Sequence, residues 1–176
     1  MSVIDRGNTF SDCSDLHNYN PLKMNLSTKF FNTLACLLLT FSVHAQDLLI
    51  SGVFDGPLTG GVPKALELYV IDDIPDLSIY GIGVANNGGG SDGLEYNFPA
   101  GAYTAGTYLY LTTDDVPFVT YFGFSADFVD NIINVNGDDA IELYEGVNVI
   151  DVYGEVADDG TGEPWEYTDG WAYRNN

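Results

Sequence analysis

Asn134 to Gly146 read N-V-N-G-D-D-A-I-E-L-Y-E-G. Either the acids beside Asn136-Gly137 build a metal or catalytic site, or they close a turn. Asn-Gly is among the strongest short hairpin signals, because both residues tolerate the positive φ of a tight turn. It falls between Ile132-Ile133-x-Val135 and Ala140-Ile141-Glu142-Leu143-Tyr144, where Ile141 and Leu143 alternate with Glu142 as on a half-buried strand. Glu145-Gly146 then turns the chain again, into Val147 to Val152. The stretch therefore predicts a three-strand meander with Asp138 and Asp139 as solvated turn residues.

Short runs rich in Val, Ile, Leu, Tyr and Phe recur about every ten residues between Gly, Asp, Asn and Pro clusters, the pattern of an antiparallel sandwich or barrel. The runs are Leu48 to Phe54, Ala65 to Val70, Leu77 to Val84, Leu94 to Phe98, Thr107 to Thr112, Asn131 to Val135, Ala140 to Tyr144 and Val147 to Val152. Eight strands suffice for two packed sheets. One stretch reads as a short helix: Thr113-Asp114-Asp115 offers caps, and Val116 to Phe122 follows with Pro117 at a tolerated early position. Its Phe118, Phe122 and Phe124 are expected to plug the end of the core.

Four further features could carry chemistry. The glycine-rich loop Asn86 to Gly93 is followed by a strand run instead of the helix that a phosphate site needs, and it has no Lys, so nucleotide binding is not expected. Asn134, Asn136, Asp138 and Asp139 offer hard oxygens suited to calcium, as does Asp158-Asp159-Gly160-x-Gly162-Glu163. Neither stretch has the spacing of a helix-flanked calcium loop, and calcium stays an alternative only. Glu67 and Glu142 occupy near-copies, A-L-E-L-Y and A-I-E-L-Y; as a pair they would suit glycoside chemistry, but alternation alone explains them as strand exteriors. The tail from Trp165 to Arg174 holds both Trp residues of the chain. Its aromatics are expected to seal the sandwich, a carbohydrate or polymer face being the alternative.

The two ends of the chain follow different rules. Met24 to Ala45 has a basic start at Lys29, an apolar run from Leu34 to Val43 and a Val43-His44-Ala45 exit, the layout of a cleaved secretory signal. The run is too short for a permanent span, and Cys36 lies in its middle, the wrong place for lipidation. Residues 1–23 read as an upstream extension, with Met24 the better start. All Cys, His and Met residues of the chain lie before residue 46. From Gln46 onward the chain therefore offers no thiol nucleophile, imidazole ligand or disulfide. Of 26 acids three precede residue 46, which leaves 23 against only Lys64 and Arg174. Such a surface repels DNA, RNA and anionic lipid. Residues 46–176 make one ordinary domain, able to bury well over half its unfolded surface.

Leu48-Leu49-Ile50-Ser51-Gly52-Val53-Phe54, Lys64-x-x-Glu67-Leu68-Tyr69, Asp76-Leu77-Ser78-x-Tyr80-Gly81, Phe98-Pro99, Asn136-Gly137-Asp138-Asp139-x-Ile141-Glu142-Leu143 and Val149-Ile150-Asp151 together resemble, in order, motifs of the bacterial lamin-tail-like domain. The ending Asp169-Gly170-Trp171-Ala172-Tyr173-Arg174 is similar to that of the N-terminal domain of secreted endonuclease/exonuclease/phosphatase-type proteins. The resemblance spans Leu48 to Arg174. It implies an immunoglobulin-like antiparallel β-sandwich, used as an accessory module in exported proteins and bringing no catalytic residue of its own. The expectation is thus an all-β, secreted, non-catalytic interaction or targeting module without cofactor, monomeric by default, whose partner is an extracellular protein or polymer. The alternatives are the front piece of a secreted nuclease and a calcium-stabilised adhesion module.

Overall fold

The computed structural model describes residues 46–175; the extension read over residues 1–23 and the signal read over residues 24–45 lie outside them. The described residues form nine strands and one α-helix: β1 (Leu48–Leu58), β2 (Val62–Val70), β3 (Tyr80–Ala85), β4 (Tyr96–Asn97), β5 (Tyr108–Thr112), α1 (Asp115–Phe122), β6 (Phe128–Val129), β7 (Ala140–Glu145), β8 (Asn148–Tyr153) and β9 (Trp171–Tyr173). They make a five-stranded sheet, β6-β5-β2-β1-β9, and a four-stranded sheet, β4-β3-β7-β8. Every pairing is antiparallel except β5 with β6, which α1 connects. The expected all-β sandwich with one short helix holds, with one strand more than the eight read from the sequence. Among the described residues no helix is long and apolar enough to cross a membrane.

Period-two alternation builds the core. In β2, Leu66, Leu68 and Val70 are buried and face Val53, Ile50 and Leu48 across the β1 pairing. In the opposite sheet Ile82, Val84, Ile141 and Leu143 are buried likewise, and all of these residues join one cluster between the sheets. Each fully buried Leu or Ile contributes about 2 kcal/mol relative to exposure. β1 carries a bulge at Ser51, since Ile50 pairs with Leu68 and Gly52 already with Glu67. Asp151 of β8 reaches across from the other sheet to this bulge and accepts the Ile50 N–H at 2.8 Å.

Three expectations about the 131–152 region change. The Asn131–Val135 run is no strand: Asn131–Ile133 form a 3-10 turn, started by the Asp130 carboxylate accepting the Ile132 N–H at 2.9 Å. Asn136-Gly137 therefore joins a turn to β7 and closes no hairpin, although Gly137 does adopt φ 91°. Asp139 is no solvated turn residue either. It is 2 % exposed and its carboxylate accepts the Asn87 N–H at 2.9 Å and the Asn136 N–H at 3.2 Å, clasping the turn to the glycine-rich loop. The Glu145-Gly146 reversal stands as read: Glu145 pairs with Asn148 in the β7–β8 hairpin.

Gly137 and Gly146 make a matched pair for experiment, because both have positive φ. A Cβ on Gly137 would lie 2.4 Å from the Thr168 Cα, whereas one on Gly146 meets nothing within 4 Å. Left-handed strain alone costs about 1 kcal/mol. Urea unfolding should therefore show Gly146→Ala losing about 1 kcal/mol and Gly137→Ala at least about twice that. Equal losses would mean that the turn does not pack on the C-terminal segment.

Candidate functional site

The helix sits elsewhere than the end of the core. Ala65 and Phe54 pair with each other across β1 and β2 and point away from the sandwich interior, their neighbours Leu66 and Val53 pointing in. Phe118 of α1 packs on both, forming a second apolar cluster on the outer face of the five-stranded sheet. The helix is held there by its ends. The Asp114 carboxylate accepts the Val116 N–H at 2.9 Å, and Gly123, at φ 83°, donates its N–H to the Val119 carbonyl at 2.9 Å. Asp115 accepts the Ala126 N–H and ties down the segment after the helix. Phe118 alone behaves as a core residue; Tyr121, Phe122 and Phe124 are 42 %, 37 % and 44 % exposed.

β9 forms the opposite wall. Trp171 pairs with Phe54, Ala172 with Val53 and Tyr173 with Gly52. Residues directly opposite in an antiparallel pair share a face, so Trp171 and Tyr173 stand on the same outer face as Phe54, and Ala172 turns to the core. Their exposures are 65 % and 67 %. The expected sealing role thus fails for these two rings. It holds for Trp165 and Tyr167, which stack edge-on against Tyr153 at 6.2 and 5.3 Å, with Tyr167 buried.

Between α1 and β9 lies a groove of about 380 Å³. Phe54 forms its floor, with Tyr121 and Phe122 at centroid distances of 5.1 and 5.0 Å. Gly52, lacking a side chain, keeps it open beside Glu67, the one acid in its lining. Glu67 accepts the Ser51 hydroxyl at 2.7 Å, the residue that the bulge displaces. Tyr110 pairs with Glu67 across β2 and β5. Burial, and then the adjoining Glu67 carboxylate, push the Tyr110 phenol up to about 12. Among the described residues the two cations are engaged elsewhere: Lys64 with Asp55 at 2.7 Å, and Arg174 with Asp151 at 2.7 Å. Glu67 has neither.

The other acids singled out in the sequence are dispersed. Glu142 is 4 % exposed, no strand exterior, and accepts the Ser91 and Tyr144 hydroxyls within the other sheet. Glu67 and Glu142 thus belong to different sheets and form no glycosidase-like pair. The two acidic loops do meet: Gly160 donates its N–H to the Asp138 carbonyl, and the Thr161 hydroxyl donates to the Asp138 carboxylate at 2.8 Å. Among the described residues no three His, Cys, Asp or Glu side chains gather as a metal would require. The sequence reading missed Phe54, Tyr110 and Tyr121 as members of one surface. Their signal was present in parity: Phe54 and Tyr110 fall on the strand positions that alternate away from Val53, Leu109 and Leu111.

Because the folded state holds the Tyr110 proton more tightly than an unfolded phenol near 10, the resulting stabilisation is complete below about pH 10 and is lost as pH rises toward 12. Ultraviolet titration should show a late phenol class near pH 12 that Tyr110→Phe diminishes, and this variant should melt less steeply with pH between 10 and 12. Ionisation of every tyrosine in one step near 10 would contradict the burial of this ring.

No family model, no curated protein and no solved structure matches this chain.

Proposed function

We propose that this chain is an exported, non-catalytic binding module of the lamin-tail-like kind whose ligand surface is the groove between α1 and β9. The observation that carries the reading is the pair Trp171 and Tyr173, two large rings left 65 % and 67 % exposed yet fixed by strand pairing opposite the helix. Contiguous exposed apolar surface of this kind marks interaction sites. Aromatic residues anchor interfaces because they offer large contact area with few rotatable bonds. The leader pattern over residues 24–45 supports export, and the ordered motifs from Leu48 to Arg174 support the lamin-tail-like assignment. The absence of Cys and His from residue 46 onward supports a module that binds without transforming its ligand.

The two Trp residues make the test direct, since one lines the groove and the other does not. Indole N–H resonances of the protein should be followed against a panel of soluble oligosaccharides, basic peptides and acidic peptides, with Trp171→Phe giving the assignment. At least one class should move the Trp171 signal and leave Trp165 still, with no turnover of DNA, phosphoesters or glycans under the same conditions. A panel that moves neither indole, or robust hydrolysis by the purified protein, overturns the reading.

A further inference from the structure

We propose that the groove is an aromatic cage for a cation, and that its occupant is the ammonium or guanidinium tip of a Lys or Arg side chain on an extended, basic segment of a partner protein. This deepens the reading of the groove as the ligand surface and rests on it.

Trp and Tyr faces carry negative quadrupole potential, and a cation within about 6 Å of a ring gains roughly 0.5–1 kcal/mol when exposed and about 2 when desolvated. Trp171 and Tyr173 rise on one side of the groove and Tyr121 on the other, over Phe54. An aliphatic stem with a charged tip fits such a slot, because the methylenes lie on the rings while the charge seeks an anion. That anion is Glu67. It accepts the Ser51 hydroxyl at 2.7 Å and adjoins the Tyr110 phenol, both neutral groups, and no cation of the described residues reaches it.

Charge selects among the remaining occupants. Residues 46–176 carry 23 acids against Lys64 and Arg174, and both cations are bound to acids of their own fold. The described residues of a second copy bring the same excess of negative charge, and both of their cations are already ion-paired. Nucleic acid and acidic peptide are repelled, whereas a basic segment is steered in. The size is right for a side chain: about 380 Å³ lies toward the small end of ligand pockets, which run from about 300 to 1,000 Å³. An extended backbone also has a place to lie, since β9 is the last strand of its sheet and its outer edge is unpaired within that sheet.

The test uses the full chain and a short Gly/Ser peptide with one central lysine, in free, Nε-trimethyl and Nε-acetyl forms, titrated by calorimetry and by the Trp171 indole resonance. The free and trimethyl forms should bind and move Trp171, and the acetyl form, which lacks the charge, should bind about tenfold more weakly or less. Glu67→Gln should weaken the charged peptides by at least about threefold and Trp171→Ala by at least about fivefold. Glu163→Gln, an equal charge change on an exposed loop outside the groove, should leave binding unaltered; circular dichroism confirms that each variant is folded. Equal binding of the acetyl peptide overturns the proposal, as does a Glu67→Gln effect no larger than that of Glu163→Gln, or the absence of both heat and Trp171 shift at millimolar peptide. If only a neutral oligosaccharide moves Trp171, the cation assignment falls while the binding-module reading stands; if no probe moves it, both fall.

Discussion

Lys64 and Asp55 meet at 2.7 Å with 8 % and 3 % of their surface exposed, and the bond between them joins far more than two strands. Taking two charges out of water costs several kcal/mol apiece, which is recovered only when every remaining hydrogen-bonding site is filled. Here distant backbone supplies one further partner to each charge. Lys64 also donates to the Val135 carbonyl ahead of β7, and the second Asp55 oxygen accepts the Asp169 N–H at 3.1 Å just ahead of β9. Asp169 stands at φ 52°, a left-handed conformation that an Asp tolerates at modest cost and that this hydrogen bond helps to hold. The pair thus ties the β1–β2 hairpin to the other sheet's approach segment and to the start of the last strand.

Arg174 performs the matching task at the other end of β9. Its backbone N–H donates to the Ser51 carbonyl at 2.8 Å, its Nε to the Ile50 carbonyl at 3.1 Å, and its Nη2 to both oxygens of Asp151 at 2.7 Å. Being half exposed, this ion pair contributes less than the buried one, but it fills the carbonyls that the β1 bulge leaves open. Strands of three residues are at the short limit for sheets. β9 is clamped at both ends by charge, and the two cations of the described residues are both spent on it. One consequence is functional: the wall bearing Trp171 and Tyr173 is fixed, and Glu67 beneath it is left without a cation from its own fold.

Period-two patterning made the sandwich legible. Leu66 and Leu68, or Ile141 and Leu143, announce a buried face wherever they sit, and the run of eight such segments left little room for a helical reading. The same patterning could not say what covers the opposite face. Ala65-Leu66-Glu67-Leu68-Tyr69 and Ala140-Ile141-Glu142-Leu143-Tyr144 are nearly identical locally, yet Glu67 looks into an open groove and Glu142 is shut beneath Ser91. Asn131 to Val135 has strand composition, but the Asp130 side chain captures a backbone N–H and starts a turn, a local competition that propensity does not weigh. Nor could β9 be read: its strand character comes from partners more than 100 residues away. The groove combines these two illegible elements, a covered outer face and a clamped edge, which is why its aromatics looked like sealant.

Buried charge holds the edge strand in place. Hydrogen exchange of Lys64→Met measures this at single amides. The Asp55 and Arg174 N–H groups, which bond to Gly170 and Ser51 across the β1–β9 pairing, should lose at least about tenfold more protection than β7 amides such as that of Leu143. Equal losses in β9 and β7 would show that the ion pair merely contributes to global stability, and unchanged protection at Arg174 would show that β9 does not depend on it at all.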